Sequence, residues 1–169
     1  MKIKIISGGQ TGVDQAALRA AKALGIETGG TMPLGWLTED GPRPEFAELY
    51  GMVESHSPHY VVRTEANAAS ADMTIWHGPT GSRGFHATQR AVHRAEKPFL
   101  LLPTMTDDAA RTMAERLVWT RPADKSVLVL NIAGSRESRA PGIGAAAEIA
   151  LSRLFRALLG ALGGEDREA

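Results

Sequence analysis

Three glycine- and hydroxyl-bearing turns carry the residue types that hold a negatively charged small molecule. The first is Gly8-Gly9-Gln10-Thr11-Gly12-Val13-Asp14. Glycines let a backbone approach a ligand closely, and the first amides of a helix point outward with partial positive charge, so such a turn can seat an anion. Thr11 either caps the helix or gives its hydroxyl to a phosphate. Asp14 falls in the first helical turn, where a carboxylate is favoured even without a ligand. The spacing is neither GxGxxG nor a Walker loop, because no Lys follows the second glycine. Ordinary capping of a tight turn explains it about as well.

The second turn is His77-Gly78-Pro79-Thr80-Gly81-Ser82-Arg83-Gly84-Phe85-His86-Ala87-Thr88. Gly81, Ser82 and Gly84 offer amides, Ser82 and Thr88 offer hydroxyls, and Arg83 offers a planar fork suited to phosphate or carboxylate. The third, Asn131 to Gly142, crowds Gly134, Ser135, Arg136, Ser138 and Arg139 together, with Arg136 the preferred clamp. Asn67 and Asp72 could hold base or ribose groups, or simply cap helices and close turns.

Candidates for covalent chemistry are weaker. Without cysteine there is no disulfide, thiolate metal site or cysteine nucleophile. His86 and His93 stand seven apart on one helix, about 10 Å of rise and too far for one ion, so no metal site is expected. His77 ends a strand and is either a proton-transfer group or a solvated imidazole. The candidate acids are Asp14, Asp72 and Glu39, the last because Thr38-Glu39-Asp40-Gly41 lies in a long loop that could fold over a cleft.

The elements that must position these turns follow one grammar. Ile3-Lys4-Ile5-Ile6 precedes a helical pattern from Val13 to Leu24, and Met73 to Trp76 precedes one from about Phe85 to Ala95. Phe99 to Leu102 precedes Asp107 to Trp119, and Val127 to Leu130 precedes a helix from about Gly144 to Leu162. Continuous apolar strands alternating with helices predict a three-layer, Rossmann-like α/β domain with a mostly parallel sheet and helices on both faces. Ligands of such sheets bind beyond the carboxyl ends of the strands, so all three turns are expected on one edge.

Between the first two units, Thr28 through Pro44 is too rich in Gly and Pro for a long regular element, though a short strand fits Ile26 to Thr28 and a helix fits Tyr60 to Ala69. In the last helix Leu151, Leu154, Phe155, Leu158, Leu159 and Leu162 share one stripe, for docking onto the sheet or for a homo-oligomer contact. We expect one domain over residues 1–162 and a disordered tail over 163–169, beginning at a helix stop at Gly163-Gly164.

Composition bounds the rest. The 169 residues carry 19 basic and 19 acidic side chains, an even balance that argues against duplex nucleic acid or an acidic membrane surface as partner. No apolar run approaches about 18 residues. The expectation is a cytoplasmic chain that is not bound to a membrane.

Gly8 through Leu18, Gly29-Gly30, Glu39-Asp40-Gly41-Pro42, Arg63-Thr64 with Asn67, Asp72, and Leu130 through Ser138 together make the chain resemble the molybdenum carrier family. This family is also described as circularly permuted YpsA-like members of the superfamily that includes the LONELY GUY hydrolases. The resemblance runs from about Lys2 to Leu159. It implies a Rossmann-like fold that binds nucleotide-derived or pterin-type phosphorylated ligands, molybdenum cofactor among them, in dimers or larger assemblies. Two departures stand out. Where relatives place Ser-Gly-Gly-Thr, this chain has Ser82-Arg83-Gly84-Phe85, and where the hydrolases carry a Glu after their glycine turn, Thr88 is followed by Gln89 and Arg90. The leading expectation is therefore a binding or carrier protein. A phosphoribohydrolase acting on nucleoside monophosphates is the alternative, and an oligomeric interaction module the third reading.

Overall fold

The computed structural model describes residues 2–103, 105–121 and 125–165. In chain order its elements are β1 (Lys2–Ile6), α1 (Val13–Ala23), β2 (Glu27–Met32), β3 (Leu37–Thr38), β4 (Gly41–Pro42), α2 (Phe46–Tyr50), β5 (Met52–Glu54), α3 (Tyr60–Ser70), β6 (Met73–His77), α4 (Arg83–Arg94), β7 (Phe99–Leu101), α5 (Asp107–Trp119), β8 (Val127–Gly134), a 3₁₀ turn (Glu137–Arg139) and α6 (Ile143–Glu165). Among the described residues, six strands form one sheet in the order β5-β2-β1-β8-β6-β7, and every neighbouring pair is parallel. The chain therefore has the α/β, parallel-sheet fold expected of it. The last strand lies at the centre, with Lys2 to Ile6 of β1 in register with Val127 to Asn131 of β8.

Alternation along the strands sorts the side chains into two layers. Ile3, Ile5, Met73, Ile75, Leu128, Leu130 and Ile132 pack with α1, α5 and α6, where Ala17, Leu117, Leu151, Leu154, Phe155 and Leu158 are fully buried. At about 1.5–3 kcal/mol for each large side chain removed from water, this layer dominates the stability. Docking on the sheet is thus what the α6 stripe does, although Leu159, expected on it, is exposed. Trp76, Ala133 and Phe99 point the other way. They meet Phe85, Ala91 and Val92 of α4, with Ala68 of α3 beside them.

Three boundaries differ from the sequence reading. The Gly-rich stretch after Ile26 is strand β2, paired to β1 and extended outward by β5. Its glycines serve close approach, since a Cβ on Gly30 would fall 2.0 Å from the Ser7 carbonyl oxygen and the residue sits at φ +121°. Secondly, β8 continues through Asn131 to Gly134, because Asn131 pairs on both sides and its side-chain amide donates to Thr74 Oγ1 at 3.1 Å. Lastly, α6 runs through Gly163 and Gly164 to Glu165. Glycine costs a helix only about 1 kcal/mol relative to Ala and does not end it without a left-handed turn. Residues 166–169 of the expected tail lie outside the described residues.

Candidate functional site

The turns after β1, β8 and β6 leave three adjacent strands by the same edge, and they are built into one another. Val13 N, the first amide of α1, donates to Ser135 O at 3.2 Å, and Ser135 N donates to His77 O at 3.1 Å. Gly12, at φ +77°, makes this packing possible, since a Cβ there would lie 2.4 Å from Ser135 O. Gly134 is held equally close against His77 O and the Val13 side chain, and Gly78 against Ser135 Oγ.

The amides of the first turn, expected to await a guest, are mostly answered by the chain itself. Gly9 N donates to Ser7 Oγ at 3.3 Å, Thr11 N to Gln10 Oε1 at 3.0 Å, and Gln10 N to Asp14 Oδ2 at 3.4 Å. Asp14 is buried and also pairs with Arg63 of α3 at 3.3 Å. The Arg63 guanidinium fills the space over Gly8, where any Cβ would collide with it. Burial pushes the Asp14 carboxyl above its ordinary value, against the Arg63 charge and the amides of Gln10 and Gly8. Asp14 thus ties α3 to the turn.

A second carboxylate closes the third turn. Thr38, Glu39, Asp40 and Gly41 form the tip of the β3–β4 hairpin, which is not part of the main sheet. Glu39 N donates to Gln10 Oε1 at 2.9 Å, which brings its side chain against residues 136–138. Glu39 Oε1 accepts from Ser138 N at 3.1 Å and from Thr11 Oγ1, Oε2 accepts from Ser138 Oγ, and Arg136 stands 4.0 Å away. Thr11 Oγ1 in turn accepts from Glu137 N at 3.3 Å. Desolvation raises the Glu39 carboxyl, but the hydrogen bonds from Ser138 and Thr11, together with the Arg136 charge, outweigh it and hold the carboxyl below its ordinary value.

Around this seat lie donors without acceptors. Gln10 is 5% exposed and its Nε2 has no hydrogen-bond partner, and neither has Arg63 Nε. A buried donor left unmet costs about 1–3 kcal/mol. The ring of Tyr60, at the head of α3, is approached by two guanidiniums, Arg63 at 5.8 Å and Arg136 at 5.7 Å from its centre. From sequence Tyr60 stands out only as the start of a helix, and Ser138 only as one of the hydroxyls crowding the third turn. Ser138 was findable, as a hydroxyl two residues from the preferred clamp, whereas nothing local marks Tyr60.

The remaining candidates are placed as follows. Ser82 caps α4 by accepting from Phe85 N at 3.1 Å, and Phe85 turns inward onto Trp76 at 5.4 Å between ring centres. Gly81, Arg83 and Gly84 are exposed at that helix start, and among the described residues Arg83 makes no hydrogen bond or ion pair. Thr88 is buried one turn farther along α4. The His77 ring is engaged with Leu102 O at 3.1 Å. Asn67 spends its amide on backbone, accepting from Thr31 N at 2.8 Å and donating to Thr31 O and Ser7 O. Asp72 precedes β6 at the opposite edge of the sheet, where it accepts from Val129 N at 2.9 Å and pairs with Lys125. Asn67 thus meets the ends of β1 and β2 whereas Asp72 meets β8 and Lys125, and the structure does not bring the two side chains together as the base- or ribose-holding pair considered from sequence. Among the described residues no group of three or more His, Asp or Glu is placed to hold a metal ion, and no helix is long and apolar enough to cross a membrane.

Residues 5–155 match the family described as Circularly permutated YpsA SLOG. The chain is also similar to the crystal structure of "Putative molybdenum carrier protein" from Syntrophus aciditrophicus SB, at 34% identity and a TM-score of 0.71 over 92% of this chain and 94% of that one. No curated protein matches it.

Proposed function

Since the chain belongs to the circularly permutated YpsA SLOG family, we propose that it binds or carries a phosphorylated small molecule, nucleotide-derived or molybdenum-cofactor-like, at the carboxyl edge of its sheet. The observation that carries this reading is the convergence of Thr11, Arg136 and Ser138 on one carboxylate, beside the unmet Nε2 of Gln10. Hydroxyls, a main-chain amide and a guanidinium gathered from separate turns are the groups that hold phosphate. The likeness to a protein whose name speaks of carrying molybdenum supports the carrier reading. Calorimetric titration with AMP, ADP-ribose and isolated molybdenum cofactor tests it. One of the three saturates the protein, and silence from all three removes the idea.

A second reading, hydrolysis of a nucleotide N-glycosidic bond, is favoured by one observation. Of the three candidate acids, Glu39 alone reaches this cluster on a surface hairpin. Release of free base from a nucleotide panel, lost in Glu39→Gln, supports that reading.

A further inference from the structure

We propose that Glu39 is a resident substitute for the guest, so that the seat formed by Thr11, Arg136 and Ser138 accepts the terminal phosphate of a monoester in competition with the β3–β4 hairpin. This rests on the binding reading above and names both the chemical class and the way the site is opened.

The seat has more donors than a carboxylate uses. Glu39 offers two oxygens, which take Thr11 Oγ1, Ser138 N and Ser138 Oγ. Arg136 stands off at 4.0 Å with nearly half of its side chain exposed, so its planar fork has no close acceptor in the seat. Gln10, whose Oε1 fixes the hairpin through Glu39 N, keeps an unmet Nε2 in the same cluster. A phosphomonoester brings three terminal oxygens and up to two negative charges, enough to satisfy the present donors and the unused fork. A diester, with two free oxygens and one charge, gains little over the carboxylate already there.

The occupant can leave. Hairpins of two short strands are marginal by themselves, and this one pairs with no strand of the main sheet. Gly35 and Trp36 before it and Gly41 within it all have positive φ, at +80°, +56° and +101°. Two anions do not share a seat of this size, so a bound phosphate displaces Glu39 and the hairpin swings away with it. Wild-type affinity is then reduced by the fraction of molecules in which the seat stands open.

Inorganic phosphate and AMP are titrated calorimetrically into the wild-type protein, Glu39→Gln, Glu39→Ala and the double variant Glu39→Ala/Arg136→Ala. We expect both single variants to bind each probe about tenfold tighter or more than wild type, with the added Arg136→Ala reversing the gain. If AMP binds the wild type but Glu39 variants bind equally or more weakly, the substitution idea is wrong while the binding reading stands. If neither probe binds any of the proteins, the substitution idea falls, and the titrations with ADP-ribose and isolated molybdenum cofactor decide the binding reading. Hydrogen exchange on the wild type serves where a variant fails to fold: saturating phosphate speeds exchange at the Glu39 amide, and unchanged protection overturns the proposal.

Discussion

Asp14 and Glu39 face the same glycine turn, and their surroundings drive their carboxyls in opposite directions. Among the described residues Asp14 is the only ion-pair partner of a nearly buried Arg63. Asp14→Asn leaves that guanidinium unpaired, and breaking a buried pair from one side costs about 3 kcal/mol, whereas removing both members costs less. Urea denaturation of Asp14→Asn and of Asp14→Asn/Arg63→Met should show the single variant to be the weaker protein. Folding lowers the proton affinity of Glu39, so its stabilisation is present above the ordinary carboxyl value of 4.5 and is lost as pH falls through the depressed one. The melting temperatures of wild type and Glu39→Gln should therefore differ near neutrality and converge on acidification. At this scale the sequence was informative about residue types and less so about partners. Thr11, Arg136 and Glu39 were each legible as polar groups on turns. That one would hold another was not, because the contacts span 28 and 99 residues of chain.

Strand, glycine turn and helix recur from β1 through α6, and apolar periodicity alone located those units, since each buries a face against its neighbours. Strand β2 was legible only at its start, near Ile26 to Thr28, and β5 not at all, for a physical reason. Their packing needs glycine and short exposed stretches in place of a Val/Ile/Leu run, and such composition reads as loop. The same economy governs the start of α1. Gly12→Ala places a methyl group against Ser135 O at a φ that L residues rarely adopt, and should cost about 3 kcal/mol. Thermal unfolding measures that loss. The heat of AMP binding should fall in parallel, because Thr11 and Ser138 are held together through this junction.

At the scale of the whole molecule, the order β5-β2-β1-β8-β6-β7 puts the strand made last beside the strand made first. Leu159, Leu162 and Gly163 near the end of α6 share a cleft with Lys2 and Ile3, so the two ends of the fold meet. A rearranged chain that begins at Lys125, with α6 joined to β1 by a short flexible linker, should keep every strand pairing and melt within about 5 °C of the parent. Helix α6 packs on α1 and α5 together, so the parent chain cut off after Arg121, which lacks both β8 and α6, should not fold at all.

The central position of β8 also reaches back to the ribosome. Until residues 127–134 emerge, β1 and β6 are two open strand edges with nothing between them, and the nascent protein is two half-sheets holding apolar faces in water. Unpaired edges of this kind recruit other chains. Synthesis that stalls before the last 43 or so residues should therefore yield aggregates or chaperone clients, and the speed with which that final segment is delivered should govern how much soluble protein a cell obtains.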